Sequence, residues 1–313
     1  MSDASDTAPE EKPRLVEVKE RAVVVGGARL ATAMNDAPRA LYARAPLVVL
    51  PDIGFVWQDY LSLLERHATQ RRVFALDWPG FGSSKGAADQ RDQSALPGDE
   101  LLAQTLAVWM DSLGIGRAVF LSTGVSGMVA IRYAAAHPRR TLGLALVAPV
   151  GFHPGGVISW LGMRILRTPL LMRRLDGYVT SLLVGPAVTA EAERVLERHR
   201  RLRLEPGYAA SLQTFTSLWS SLQTSHQDIT RLAQTLRVPT MVLRGALDPL
   251  VTDAEARQAA AALSGLGGRG TLSITLPEAG HLPFLQQQER FDQAISGLLE
   301  TAEVVALDTP EQP

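Results

Sequence analysis

The sequence predicts an α/β fold: a mostly parallel, doubly wound sheet with a helical cap inserted between two of its strands. Three observations carry this. Short, wholly apolar runs such as Leu47-Val48-Val49-Leu50 and Val73 to Leu76 recur along the chain, as strands buried on both faces require. Helical patterns separate these runs, and strand–helix alternation implies parallel pairing under helices on both faces. One long stretch, Gly151 to Leu236, holds no convincing strand and reads as several helices.

The elements follow in order. Val16 to Val25 and Ala28 to Met34 flank Gly26-Gly27, a hairpin signal. After the Leu47–Leu50 strand, Tyr60 to Ala68 reads as a helix, and Val73 to Leu76 ends at Asp77-Trp78-Pro79-Gly80-Phe81-Gly82-Ser83-Ser84. Asp99 to Leu113 is amphipathic and helical. Ala118 to Leu121 is an apolar strand that meets a run of small residues and then a helix closing near His137-Pro138. Leu142 to Val147, Thr240 to Leu243 and Leu272 to Leu276 complete the strands. The expected organisation is a core of residues 14–150 and 237–303, a cap of residues 151–236, and disordered tails at 1–13 and 304–313.

Composition narrows the partners. The chain has 313 residues, is 46% hydrophobic and carries a net charge of −1. No global basic field points to nucleic acid. There is no cysteine, which removes disulfides, thiolate chemistry and Cys-based metal sites. The six histidines are scattered and suggest no metal, and no cofactor is implied. The N-terminus has no apolar h-region, and no run approaches a transmembrane span, so a cytoplasmic protein is the expectation. The insertion carries ten Arg against six Asp plus Glu, hence +4, while the remainder carries −5. Within it, Val157 to Leu175 is basic and apolar. It suits an ordinary cap helix roofing a pocket, with a break expected at Thr168-Pro169, and it leaves a peripheral membrane contact open. Oligomeric state is undetermined.

Four landmarks over residues 15 to 300 resemble the α/β-hydrolase superfamily. Asp77 to Ser84 is similar to that family's D-x-P-G-x-G-x-S loop. Ser122-Thr123-Gly124-Val125-Ser126 sits in the strand–turn–helix context of its nucleophile elbow, G-x-S-x-G, fourteen residues before Pro138. Val238 to Val251 resembles the strand that ends in the triad acid, at Asp248. Ala279-Gly280-His281-Leu282-Pro283-Phe284 resembles the loop of the triad histidine, at His281.

The resemblance implies a catalytic constellation with one departure and a second alteration. The nucleophile position is Gly124, which has no side chain and leaves a space over the elbow where a water or substrate atom could sit. Ser126 and Ser122 are displaced alternatives: Ser126 is two residues late, and Ser122 lies at the strand end, packed under the turn. The backbone donors of the oxyanion hole would be Ile53 and Val125. Their loop is altered, since Pro51 lacks an N–H and Asp52 brings negative charge to a place meant to stabilise it. The expected orientation of Asp52 is toward solvent or the entering helix. Asp52, Trp57, Trp160 and Met163 are the expected pocket side chains, and a small apolar organic molecule the expected partner.

Three functions follow. The first is a general-base hydrolase or lyase in which Asp248–His281 acts on a small apolar ester, lactone or ketone-type substrate. The reading leans this way because both members of the dyad stand in motif context. The second is a non-catalytic pseudo-hydrolase that binds a ligand or partner. The third is a serine hydrolase using Ser126 or Ser122.

Overall fold

The computed structural model describes residues 16–85, 98–152, 169–186, 189–265 and 271–308, with side chains undescribed at 169, 213, 216–227 and 308. Eight strands form one sheet in the order β1-β2-β4-β3-β5-β6-β7-β8. They are β1 (Val18–Val25), β2 (Ala28–Asn35), β3 (Leu47–Leu50), β4 (Val73–Leu76), β5 (Ala118–Thr123), β6 (Thr141–Val147), β7 (Thr240–Gly245) and β8 (Leu272–Leu276). The β1–β2 and β2–β4 pairs are antiparallel, and the other pairs are parallel. The hairpin turns at Gly26 and Gly27, both at positive φ.

The helices are α1 (Leu61–Ala68), α2 (Gly98–Ser112), α3 (Ser126–Ala136), α4 (Pro169–Val184), α5 (Ala190–Leu202), α6 (Tyr208–Ala233), α7 (Asp253–Ser264) and α8 (Gln288–Asp308). The central strands β3, β4 and β5 are buried on both faces, which explains their uninterrupted apolar sequence. Two hydrophobic clusters cover the faces. One packs Leu106, Trp109, Phe120 and Met128, and the other packs Leu47, Tyr60, Leu121 and Phe291.

The order places the topological switch between β3 and β5, where an open α/β sheet forms its crevice. Leu50 pairs with Ser122 across that switch. Two residues further along each strand, Asp52 and Gly124 therefore come face to face.

The cap contains α4, α5 and the first part of α6. The expected break is where α4 begins, with Pro169 at its first turn. Thr189 caps α5 by accepting from Ala192 N–H at 3.1 Å, and donates to Leu285 O at 2.8 Å. α6 does not stay in the cap. It continues down onto α2, α3 and α7, burying Ile229 and Ala233 in the core.

One expectation on organisation changes. Residues 304–308 continue α8 beyond its buried face of Phe291, Ile295, Leu299 and Ala302, with Val304 and Leu307 exposed. The 1–13 tail and Val157 to Thr168 lie outside the described residues. Among the described residues, no helix is long and apolar enough to cross a membrane.

Leu121 is fully buried in β5 beneath the switch. Leu121→Ala is expected to cost about 2–5 kcal/mol. Urea unfolding should show this as a lower midpoint at unchanged slope.

Candidate functional site

Gly124 ends the elbow at φ +55°, a backbone state that suits glycine. Its N–H donates to Val147 O at 2.9 Å, which fixes the turn against β6. Asp248 follows β7, and His281 follows β8. His281 Nδ1 and Asp248 Oδ2 lie 2.9 Å apart. Asp248 also accepts from the N–H groups of Leu250 and Val251 at 2.8 and 3.2 Å. The histidine loop is tied to the cap: His281 N–H donates to Leu183 O at 3.0 Å. The sheet thus assembles the predicted acid–histidine pair.

The space over Gly124 is filled. Asp52 turns inward and is buried, contrary to the expectation that it faces solvent or the entering helix. Its Oδ1 accepts from Val125 N–H and Ile53 N–H, both at 2.8 Å. Those are the two amides nominated as oxyanion donors. Its Oδ2 lies 3.3 Å from His281 Nε2. Its own N–H donates to the Tyr60 hydroxyl at 3.0 Å. The reason is convergence: Ile53 N–H, Val125 N–H and His281 Nε2 meet in a buried crevice, and the carboxyl group gives all three a partner.

Gly124 and Asp52 are interdependent. A Cβ built on Gly124 would overlap the Asp52 carboxylate. A residue with a side chain at position 124 is sterically incompatible with Asp52 as it stands.

Both ring nitrogens of His281 face carboxylates, and the ring is fully buried. Burial alone would push the imidazole down. The Asp248 charge and hydrogen bond, followed by Asp52, overcome burial and carry His281 up to about 10. Burial also works to raise Asp248, but the His281 charge holds its carboxyl below the ordinary value. The imidazole thus sits between two carboxyl groups, Asp248 at Nδ1 and Asp52 at Nε2.

The serines stand elsewhere. Ser126 Oγ donates to Pro51 O in a short bond and accepts from Trp78 Nε1 at 2.9 Å. Ser122 is fully buried in β5, as expected of a side chain packed under the turn. Neither hydroxyl occupies a ring nitrogen of His281.

A cavity of about 110 Å³ lies between cap and core. Ile53, Phe55 and Phe81 wall it from the core, and Met172, Leu183 and Phe215 from the cap helices. α4 thus turns Met172, Val179 and Leu183 inward, as a roofing helix should, while Leu170 and Tyr178 remain exposed. Asp52 and Trp57 are not among the lining residues, which corrects two expected pocket positions. Asp52 is committed to the amides and His281, and Trp57 Nε1 donates to Glu20 Oε2 at 3.0 Å. Trp160 and Met163 lie outside the described residues. Sequence reasoning misses His199, which lines this cavity on α5, and its partner Asp59. The run His199-Arg200-Arg201-Leu202-Arg203 reads most simply as a solvated helix end. Among the described residues, no group of three or more His, Asp or Glu is placed to hold a metal ion.

A family model described as alpha/beta hydrolase fold matches residues 50–288. The chain is similar to the dihydrolipoyllysine-residue acetyltransferase component of the acetoin cleaving system of Pseudomonas putida, at 24% identity over 81% of this chain and 63% of that protein. It therefore spans less than two thirds of that relative. It is 27% identical to pimeloyl-(acyl-carrier protein) methyl ester esterase of Edwardsiella ictaluri, over 80% of this chain and 91% of the relative. Its fold is similar to that of 2-hydroxy-6-oxo-6-phenylhexa-2,4-dienoate hydrolase from Rhodococcus sp. strain RHA1, with a TM-score of 0.71, 16% identity and coverage of 91% and 99% of the two chains.

The raised His281 sets a pH dependence. A group bound more tightly to its proton in the folded state stabilises fully below its unfolded pKa and loses that contribution as pH rises through the folded one. Stability should fall between pH 6.5 and about 10 as the imidazolium is lost. Asp77, carried up to about 7 by burial, weakens the fold as pH rises from about 4 to 7, a window largely below this one. Thermal melts across pH 6 to 10 should show a shallower decline in Asp52→Asn than in the native chain. NMR should find His281 still protonated at pH 8.

Proposed function

We propose that this chain, which belongs to the α/β-hydrolase fold family, is a non-catalytic member that keeps its cap-roofed cavity to bind a small apolar molecule. One observation carries the reading. The Asp52 carboxylate takes up both amides expected to stabilise an oxyanion and faces the histidine expected to act as base. A substrate carbonyl would have to displace a buried carboxylate held by three donors. A general base must also be unprotonated, and His281 holds its proton to about 10. Ser126 lacks the base contact that activates a hydroxyl.

The enzyme reading retains one observation in its favour, the intact Asp248–His281 contact at 2.9 Å. It requires Asp52 to leave the amides and His281 to give up its proton in the same movement. Substrates named for the relatives, acyl and methyl esters among them, define the panel on which the two readings part.

Turnover of p-nitrophenyl esters, lactones and β-diketones by the purified chain should not exceed background at pH 7 to 9, and His281→Ala should change nothing. Turnover that disappears in His281→Ala would overturn the proposal. Gly124→Ser alone should lower the melting temperature and gain no esterase activity, because the new Cβ meets Asp52. The double variant Asp52→Gly with Gly124→Ser frees both amides and should gain ester hydrolysis, read as a burst of p-nitrophenol followed by slow turnover.

A further inference from the structure

A second carboxylate–histidine pair lies at the cap–core boundary, apart from the elbow. Asp59 precedes α1, and its Oδ2 is 2.9 Å from His199 Nε2 on α5. The same Oδ2 accepts Val56 N–H at 3.0 Å, and Oδ1 pairs with Arg198 Nη1 at 2.7 Å. Asp59 has no exposed side-chain surface. Taking one hydrogen bond from a backbone N–H and one from a guanidinium, Asp59 stands as an ionised, accept-only carboxylate. An ionised carboxylate only accepts, which assigns the His199 Nε2 proton to the bond with Asp59.

The ring is buried, lies tilted at 57° with its centroid 5.0 Å from that of Phe55, and forms part of the cavity wall. With Nε2 committed, Nδ1 is the ring nitrogen available to a cavity occupant. In the neutral ring that nitrogen is a lone-pair acceptor. Phe55, Phe81, Phe215, Ile53 and Leu202 line the same cavity, as do Asp176 and Glu205. Asp176 is already paired with Arg203 at 3.3 Å, so the mainly apolar wall favours an uncharged ligand. The volume of about 110 Å³ is close to that which admits a single small ring, since a dry apolar cavity of roughly 150 Å³ takes benzene.

We infer that the cavity is a binding site for a small, uncharged hydroxyl compound of phenol or short-alcohol type, whose O–H donates to His199 Nδ1 while its apolar body packs against Phe81 and Phe215. This rests on the binding reading above and names the ligand class of that cavity. Asp59 is a positioning residue: it sets the tautomer that leaves Nδ1 as an acceptor. Thr180 and Ser211 also line the cavity and could serve a second hydroxyl.

The test titrates phenol, toluene and benzoate into the full chain by calorimetry and follows ¹⁵N-labelled histidines by NMR. Phenol should bind more tightly than toluene or benzoate, and His199 Nδ1 should shift upfield on saturation. His199→Phe keeps the ring on Phe55 and removes the acceptor, so the phenol-to-toluene affinity ratio should drop roughly fivefold to tenfold, the value of one hydrogen bond. His199→Gln retains a side-chain acceptor and should recover part of the ratio. An unchanged ratio in His199→Phe, or a His199 resonance that does not move with bound phenol, overturns the assignment. So does benzoate binding more tightly than phenol. Phenol carries no bond to hydrolyse, so these outcomes do not depend on whether the Asp248–His281 pair is silent.

Discussion

A single carboxylate organises the elbow. Asp52 accepts two backbone amides through one oxygen and faces an imidazolium through the other. Each partner would be costly to bury alone. An unpaired buried amide costs about 1–3 kcal/mol, and an uncompensated buried charge costs more. Together they satisfy one another's hydrogen bonds, and the arrangement requires that position 124 carry no side chain. Glycine at the elbow and aspartate after β3 are therefore one structural solution rather than two separate alterations.

That solution reverses the usual chemistry of such a crevice. Donors preorganised toward a developing negative charge accelerate acyl transfer only if the charge appears during the reaction. Here a permanent negative charge already sits among them. The histidine accordingly has a carboxyl group against each ring nitrogen. Retention of Asp248 and His281 then has a structural cause, because removing either charge would leave the other members uncompensated.

The cavity lies beside this triad but does not include it. Ile53 links the two: its N–H serves Asp52, and its side chain walls the cavity. The cap is held at the same place, through His281 N–H to Leu183 O on one side and Asp59 to Arg198 and His199 on the other. The cavity and the elbow thus share Ile53 as a common wall.

The strand runs, the inserted helices and the acid–histidine pair were legible in the sequence, because each depends on local periodicity or on motif context within a few residues. β3 and β4 fall where their apolar runs predict, since burial on both faces leaves a continuous hydrophobic signature. The orientation of Asp52 was not legible: an aspartate after a strand looks the same whether it faces water or a crevice. Only the β3–β5 register, which sets Leu50 against Ser122, brings its carboxylate over Gly124. His199 was hidden for the same reason, in an arginine-rich stretch whose spacing describes a solvated helix, while the buried carboxylate that receives it lies 140 residues away. Sequence determines which residues can carry charge or form a strand. Which charges meet in the dark of the crevice is decided by strand register and helix packing, both long-range quantities.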